Sequence, residues 1–278
     1  MEINLGDEQI IELQATFSPQ QIQDRANARR IDAFGTMAKL IQRPKFEDIE
    51  MTATQKRYEP FWHATATAHY VYDRRHSYRV QVASEVKSVT LLGNDLTITS
   101  EQGRVFLLEG VEHCGEEIHR ELMLDAQYGN ESDYKKYLTY PKNGVSSIAT
   151  LEQDGALVIS PEVRSSFVVR KLVSLLVKTF QADKIFEERI DVDQIALYYR
   201  PVYAVEYFWR SKQKKQIIEI DALTGDMKAE GGEIKKQVVK VLENDALFDI
   251  GADTVGTFLP GANIAVKLGR LGLRRVVK

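Results

Sequence analysis

Tyr58-Glu59-Pro60-Phe61-Trp62 and Tyr199-Arg200-Pro201-Val202-Tyr203 carry one pattern, Tyr-x-Pro-apolar-aromatic, 141 residues apart. Working outward, Ile49-Glu50-Met51 and Ile190-Asp191-Val192 hold the same offset, and Ser18-Pro19 and Ser160-Pro161 hold it to within one residue. Self-similarity at a fixed spacing is the mark of a repeated structural unit. These matches predict an internal duplication.

Each copy reads the same way. Ser18 and Ser160 suit a helix N-cap, and the proline that follows each suits the first helical position, where a missing N–H costs nothing. Gln21 completes a capping box with Ser18. Ile22, Ala26, Ala33, Met37, Leu40 and Ile41 recur near a 3.6-residue period, which predicts a first helix ending by Pro44. Phe167, Val168, Leu172, Leu175, Leu176 and Phe180 predict a second, more apolar one. Short strands are expected before the helices at 9–17 and 156–159, and after them at 46–51 and 186–192. Hairpins should follow at 57–82 and 195–221, turning at Asp73-Arg74-Arg75-His76-Ser77 and Ser211-Lys212-Gln213-Lys214-Lys215. The expected fold class is α+β, a duplicated β-α-β-β-β unit with helices packed on antiparallel sheet.

The first copy carries extra sequence. Val86–Leu92, Leu96–Thr99 and Arg104–Val111 read as three strands, Glu116–Gln127 as a helix, and Tyr128–Thr150 as a polar connection. The expected boundaries are 1–150 for the first repeat with its insertion, 151–232 for the second, and 233–278 for a C-terminal helix and tail. That helix, Glu233–Phe248, is amphipathic. The tail combines small and apolar residues, among them Phe258 and Leu259, with a basic amphipathic stretch containing Lys267, Arg270 and Arg274. It suits a cap on the chain's own core, a docking segment for a protein partner or a second copy, or a membrane-surface helix.

Ile218-Glu219-Ile220-Asp221-Ala222-Leu223-Thr224-Gly225-Asp226-Met227 closes the second copy. This Ile-Asp-x-x-Thr-Gly-acid-apolar ending resembles the last strand of PepSY-type modules, small helix-on-sheet units of cystatin-like build. The resemblance covers these ten residues and the order of elements in the second copy. The first copy has no counterpart to Thr224-Gly225. The resemblance implies a non-catalytic binding module.

Composition narrows the function classes. Hydrophobic residues make up 44% of the 278 and charged residues 28%, and the formal net charge is −3. This is a globular balance with no bulk attraction for nucleic acid or acidic membranes. The single cysteine, Cys114, excludes an intrachain disulfide and a Cys-based structural zinc site. The acidic N-terminal residues lack a signal-peptide layout, and no apolar run is long enough to span a bilayer, so the expected location is cytoplasmic. No nucleophile elbow, phosphate loop or dinucleotide fingerprint is present, and no cofactor is expected.

Three places could carry function. The two hairpin tips would be basic and bordered by aromatics: Arg74, Arg75 and Arg79 in one, Arg210, Lys212, Lys214 and Lys215 in the other. Together they could grip a polyanion such as nucleic acid, although solvated hairpin tips are often charged for no other reason. His113, Cys114 and His119 are ligand-type residues at an expected strand-to-helix junction. They also fit a small buried thiol beside solvated histidines. The tail is the third place. The leading expectation is a non-enzymatic binding or assembly subunit of a protein complex. A polyanion-binding protein is the alternative, and an enzyme using Cys114 with a histidine a remote third.

Overall fold

The computed structural model describes residues 1–99, 104–152, 155–231, 247–249 and 265–267. Two unusually long strands organise it, β3 (Ile49–Gln81) and β9 (Lys184–Trp209). They run antiparallel from Ile49↔Trp209 to Asp73↔Lys184, with Tyr58 opposite Pro201, Glu59 opposite Arg200 and Pro60 opposite Tyr199. The two Tyr-x-Pro segments thus face each other midway along one ribbon.

Shorter strands line both sides of this ribbon. Along the outer side of β9 lie β1 (Glu2–Leu5), β2 (Glu8–Leu13) and β10 (Lys214–Asp221). Along the outer side of β3 lie β8 (Leu157–Val158) and β6 (Val105–Asp125). The turn joining β3 to β6 carries a small separate hairpin, β4 (Ser88–Leu91) with β5 (Asn94–Thr97). Outermost come β7 (Lys142–Val145) on β2, β11 (Met227–Gly231) on β10 and β12 (Ala265–Lys267) on β1. Because β1, β2, β8 and β12 pair in parallel, the sheet is mixed and not the expected antiparallel one. The α+β class holds.

The helices pack on opposite ends of the ribbon. Pro19–Ala28 begins at Ser18 with the expected capping box, Ser18 and Gln21 bonding reciprocally. Its buried Ile22 and Ala26 join Phe34, Trp209, Ile218 and Ile220 in one core cluster. The second helix is Ser165–Ser174, capped by Arg164, so Ser160-Pro161 lies in the preceding loop and caps nothing. Val168, Val169, Leu172 and Val173 press onto Trp62, Ala64, Ala66, Ala68 and Tyr70, all fully buried. The three alanines leave room for the helix to sit close, and their alternation along β3 is what a strand with one covered face requires. Leu247 is buried in the same cluster and Phe248 stands edge-on to Trp62 at 5.7 Å.

Three further expectations fail for identifiable reasons. Asp73–Ser77 is no turn: β3 runs straight through it. The stretch is polar because Arg74–Arg79 and Leu107–Glu112 form a two-stranded ribbon open to solvent on both faces, not because the chain reverses there. Glu116–Gln127 is strand, not helix, up to Asp125. Its helix-forming residues are overridden by cross-strand partners, Glu116 accepting from Tyr72 and Glu121 meeting His63 at 2.9 Å. The first helix also stops early. After Ala28 the chain continues as short irregular turns to Gln42, which leave Met37, Leu40 and Ile41 about 70% exposed. The expected helix at 233–248 falls outside the described residues except for its last two. Among the described residues no helix is long and apolar enough to cross a membrane.

Candidate binding surfaces

A concavity of about 470 Å³ opens where the Tyr-x-Pro segments meet. Its floor is built around Arg200. Pairing places Arg200 opposite Glu59, and one guanidinium nitrogen donates to that carboxylate at 2.5 Å. The other donates to Asp221 at 2.8 Å and to the Tyr137 hydroxyl at 2.9 Å. Tyr137 in turn donates to Asp221 at 2.5 Å. Asp221 ends β10, and its second oxygen accepts the N–H groups of Leu223 and Thr224, so the side chain itself shapes the Asp221–Gly225 turn. The Ile-Asp-x-x-Thr-Gly sequence is thereby a turn locked to the cleft floor.

Electrostatically the floor is closed on itself. Desolvation opposes the Arg200 charge, yet Glu59, Tyr137 and Asp221 more than offset it, so the guanidinium stays firmly protonated. Burial, then the bond to Asp221, pushes the Tyr137 hydroxyl well above its ordinary range. Burial and the nearby Asp125 charge push Tyr134 up to about 12. No nucleophile stands beside a base here, and each acid named has a partner. Such a floor can shape and orient a ligand.

The residues singled out by sequence separate. His113 and His119 point to one face of β6, where His113 meets Asp73 at 2.6 Å and His119 meets Thr67 at 3.2 Å. Cys114 points to the other face, its sulfur 3.9 Å from the Glu112 carbonyl. They share no site. Among the described residues no group of three or more His, Cys, Asp or Glu side chains converges as a metal site. Arg74, Arg75 and Arg79 lie mid-strand, with Arg74 bound to Glu112. Arg210, Lys212, Lys214 and Lys215 do flank a real turn, with Gln213 in the left-handed conformation. The two basic groups sit at opposite ends of the ribbon, roughly 80 Å apart along β3 at about 3.3 Å per residue, so they do not form one grip. Phe258, Leu259, Arg270 and Arg274 lie outside the described residues. Lys267 belongs to β12, whose backbone adds in parallel to β1.

Sequence reading missed Glu59, Tyr137, Arg200 and Asp221 as a unit. A signal for part of it was present: the middle residues of the two Tyr-x-Pro segments carry opposite charges. No protein-family model, curated protein or solved structure matches this chain.

Proposed function

We propose that this chain is a non-enzymatic binding or assembly subunit, acting through the β3–β6 arm. One observation carries the reading. Beyond Asp73, where β9 has ended, Arg74–Gln81 pairs with Val105–Glu112 and with no other described strand. Tyr78 and Val80 are exposed on one face of this arm, and Leu107 and Val111 on the other. A two-stranded ribbon is marginal in water by itself, and a third strand or a covering face is what normally steadies it. Apolar side chains on both faces fit a surface that is covered in an assembly. The cleft supports the same reading, because its floor of Glu59, Tyr137, Arg200 and Asp221 offers a fixed, hydrogen-bonded shape.

We also propose that the chain arose by duplication. The register supports this: the two segments oppose each other about Glu59 and Arg200. Strand β2 precedes the first helix and pairs with β9, while β8 precedes the second helix and pairs with β3. Helix starts at Pro19 and Ser165 are 146 residues apart, and so are Glu12 and Val158, which pair with the two tyrosines, Tyr199 and Tyr58. The equivalence Ser18 to Arg164 then replaces Ser18 to Ser160.

Arm shortening tests the function. Arg75 and Val111 are paired, so an Asn-Gly turn between them can replace residues 76–110. The shortened chain should melt within a few degrees of wild type and lose its assembled mass by light scattering. A full-length chain that is monomeric and co-purifies with no stoichiometric partner from its native source would defeat the proposal.

A further inference from the structure

The opposite end of the ribbon carries a second surface, independent of the arm. After Phe34 and Ala38 turn inward onto Trp209, the intervening and following residues Met37, Leu40 and Ile41 are left about 70% exposed, and Phe46 is 44% exposed. Ala33, Phe34 and Ala38 lie in the core with Ile31 packed against it, while Met37, Leu40 and Ile41 face water. Arg43 takes a left-handed conformation ahead of Pro44, which stops the helical turns and holds the apolar group in place.

The β9–β10 turn lies against the same segment. Ser211 donates its N–H to Asp48 at 3.2 Å, Trp209 donates its ring N–H to Asp48 at 2.8 Å, and Arg210 donates to the Glu47 carbonyl. Lys39, Arg43 and Lys45 flank the apolar group in sequence, and Arg210, Lys212 and Lys214 belong to the β9–β10 connection that bonds to Glu47 and Asp48. Among the described residues the carboxylates of this end include Asp32, Glu47, Asp48 and Glu50, with Glu206 on β9 and Glu230 on the adjacent β11. Asp32 is bound to Lys39, and Asp48 is taken up by the turn, whose hydrogen bonds hold its carboxyl below the usual range. A chain of net charge −3 thus places several lysines and arginines near three large apolar side chains that are each about 70% exposed.

We infer that this end of the protein docks on the surface of an anionic lipid bilayer, with Met37, Leu40 and Ile41 entering the headgroup–acyl boundary and the neighbouring lysines and arginines engaging lipid phosphates. Exposed apolar side chains with Lys and Arg nearby combine the two terms of interfacial binding, apolar burial and attraction to negative headgroups. Side chains that protrude this far suit a fluid apolar phase, whereas a protein partner would have to supply matching pockets.

Flotation of the full chain with vesicles tests this. With phosphatidylcholine vesicles containing roughly a third phosphatidylserine the protein should float, and binding should fall steeply as salt rises above about 0.1 M. With pure phosphatidylcholine it should remain at the bottom. Leu40→Asp with Ile41→Asp should lower the apparent partition at least ~10-fold, and so should Lys212→Glu with Lys214→Glu, at about fivefold or more per reversed cation. All four side chains are exposed, so a circular-dichroism melt should match wild type; Met37→Ser gives a milder check should either pair prove unstable. Three results overturn the inference: no flotation of wild type with anionic vesicles, flotation of the Asp pair at wild-type level, or equal binding to neutral vesicles. None of these bears on the arm, whose test is assembly mass.

Discussion

Arg200 stands directly opposite Glu59 in the antiparallel ribbon and donates to it at 2.5 Å, with Asp221 bound to the same guanidinium from the neighbouring strand. One cation thereby bridges carboxylates from β3 and β10, with about a quarter of its side chain exposed. Removing one member of such a group leaves charge desolvated and unpaired, which costs more than the pair itself contributes. Arg200→Met should therefore destabilise the fold by about 3 kcal/mol in urea unfolding. Adding Glu59→Gln to that variant should recover part of the loss. Equal stability of the single and double variants would show that the two residues are not coupled.

Gly6 joins β1 to β2 as both pass β9, and its N–H donates to the Val192 carbonyl at 2.7 Å. A Cβ here would lie 2.7 Å from the carbonyl oxygens of Val192 and Asp193. Those atoms are backbone, fixed by the sheet, so the clash cannot be relieved by a rotamer change. Gly6→Ala should lower stability by roughly 2 kcal/mol, within the usual cost of overpacking. Gly115→Ala, where a Cβ meets nothing within 4 Å, serves as the control. A harmless Gly6→Ala would mean that the β1–β2 crossover sits farther from β9 than described.

Trp62 to Tyr70 was legible because one face of β3 is covered by a helix and the other is not, which writes a period of two into the residues. The arm was not legible, since both its faces meet solvent and the alternation vanishes at Asp73. Polar residues then look like a turn. Glu116–Asp125 misled for a related reason: Glu, Ile, His, Arg and Leu all tolerate helix, and only Tyr72, Lys178 and His63 on other elements decide for strand. The cleft needed strand register, which a sequence of this kind does not print, although the opposed charges of Glu59 and Arg200 hinted at it.

His63 supplies a pH prediction. Burial holds its folded-state value below the ordinary 6.5, outweighing the raising effect of the Glu121 hydrogen bond. The folded protein then binds fewer protons than the unfolded chain as pH falls below about 6.5, so stability should decline in that window. Urea unfolding at pH 7 and about 5.5 should show the loss in a Glu8→Gln background, because burial and the Asp249 charge push Glu8 up to about 7 and its titration in this window has the opposite sign. His63→Gln keeps a donor for Glu121 but cannot titrate, and should show a smaller one. An identical decline in the variant would assign the acid sensitivity to other groups.

The exchanged strands give the sharpest test of the architecture. β2 comes from the N-terminal half but pairs with β9, β8 comes from the C-terminal half but pairs with β3, and β3 and β9 pair with each other from Ile49 to Asp73. A chain cut at 150 would leave each half with a long open strand edge and an uncovered apolar face. Such edges template aggregation and a face of this kind cannot be buried alone. Residues 1–150 and 151–278, expressed separately, should therefore be insoluble or unfolded. Expressed together they should pair through the β3–β9 ribbon and recover the far-ultraviolet spectrum and a cooperative melt, lowered by the entropy of joining two chains. Either half folding alone, with its own sharp transition, would show that the ribbon joins two self-sufficient domains and that the strand exchange is not needed for folding.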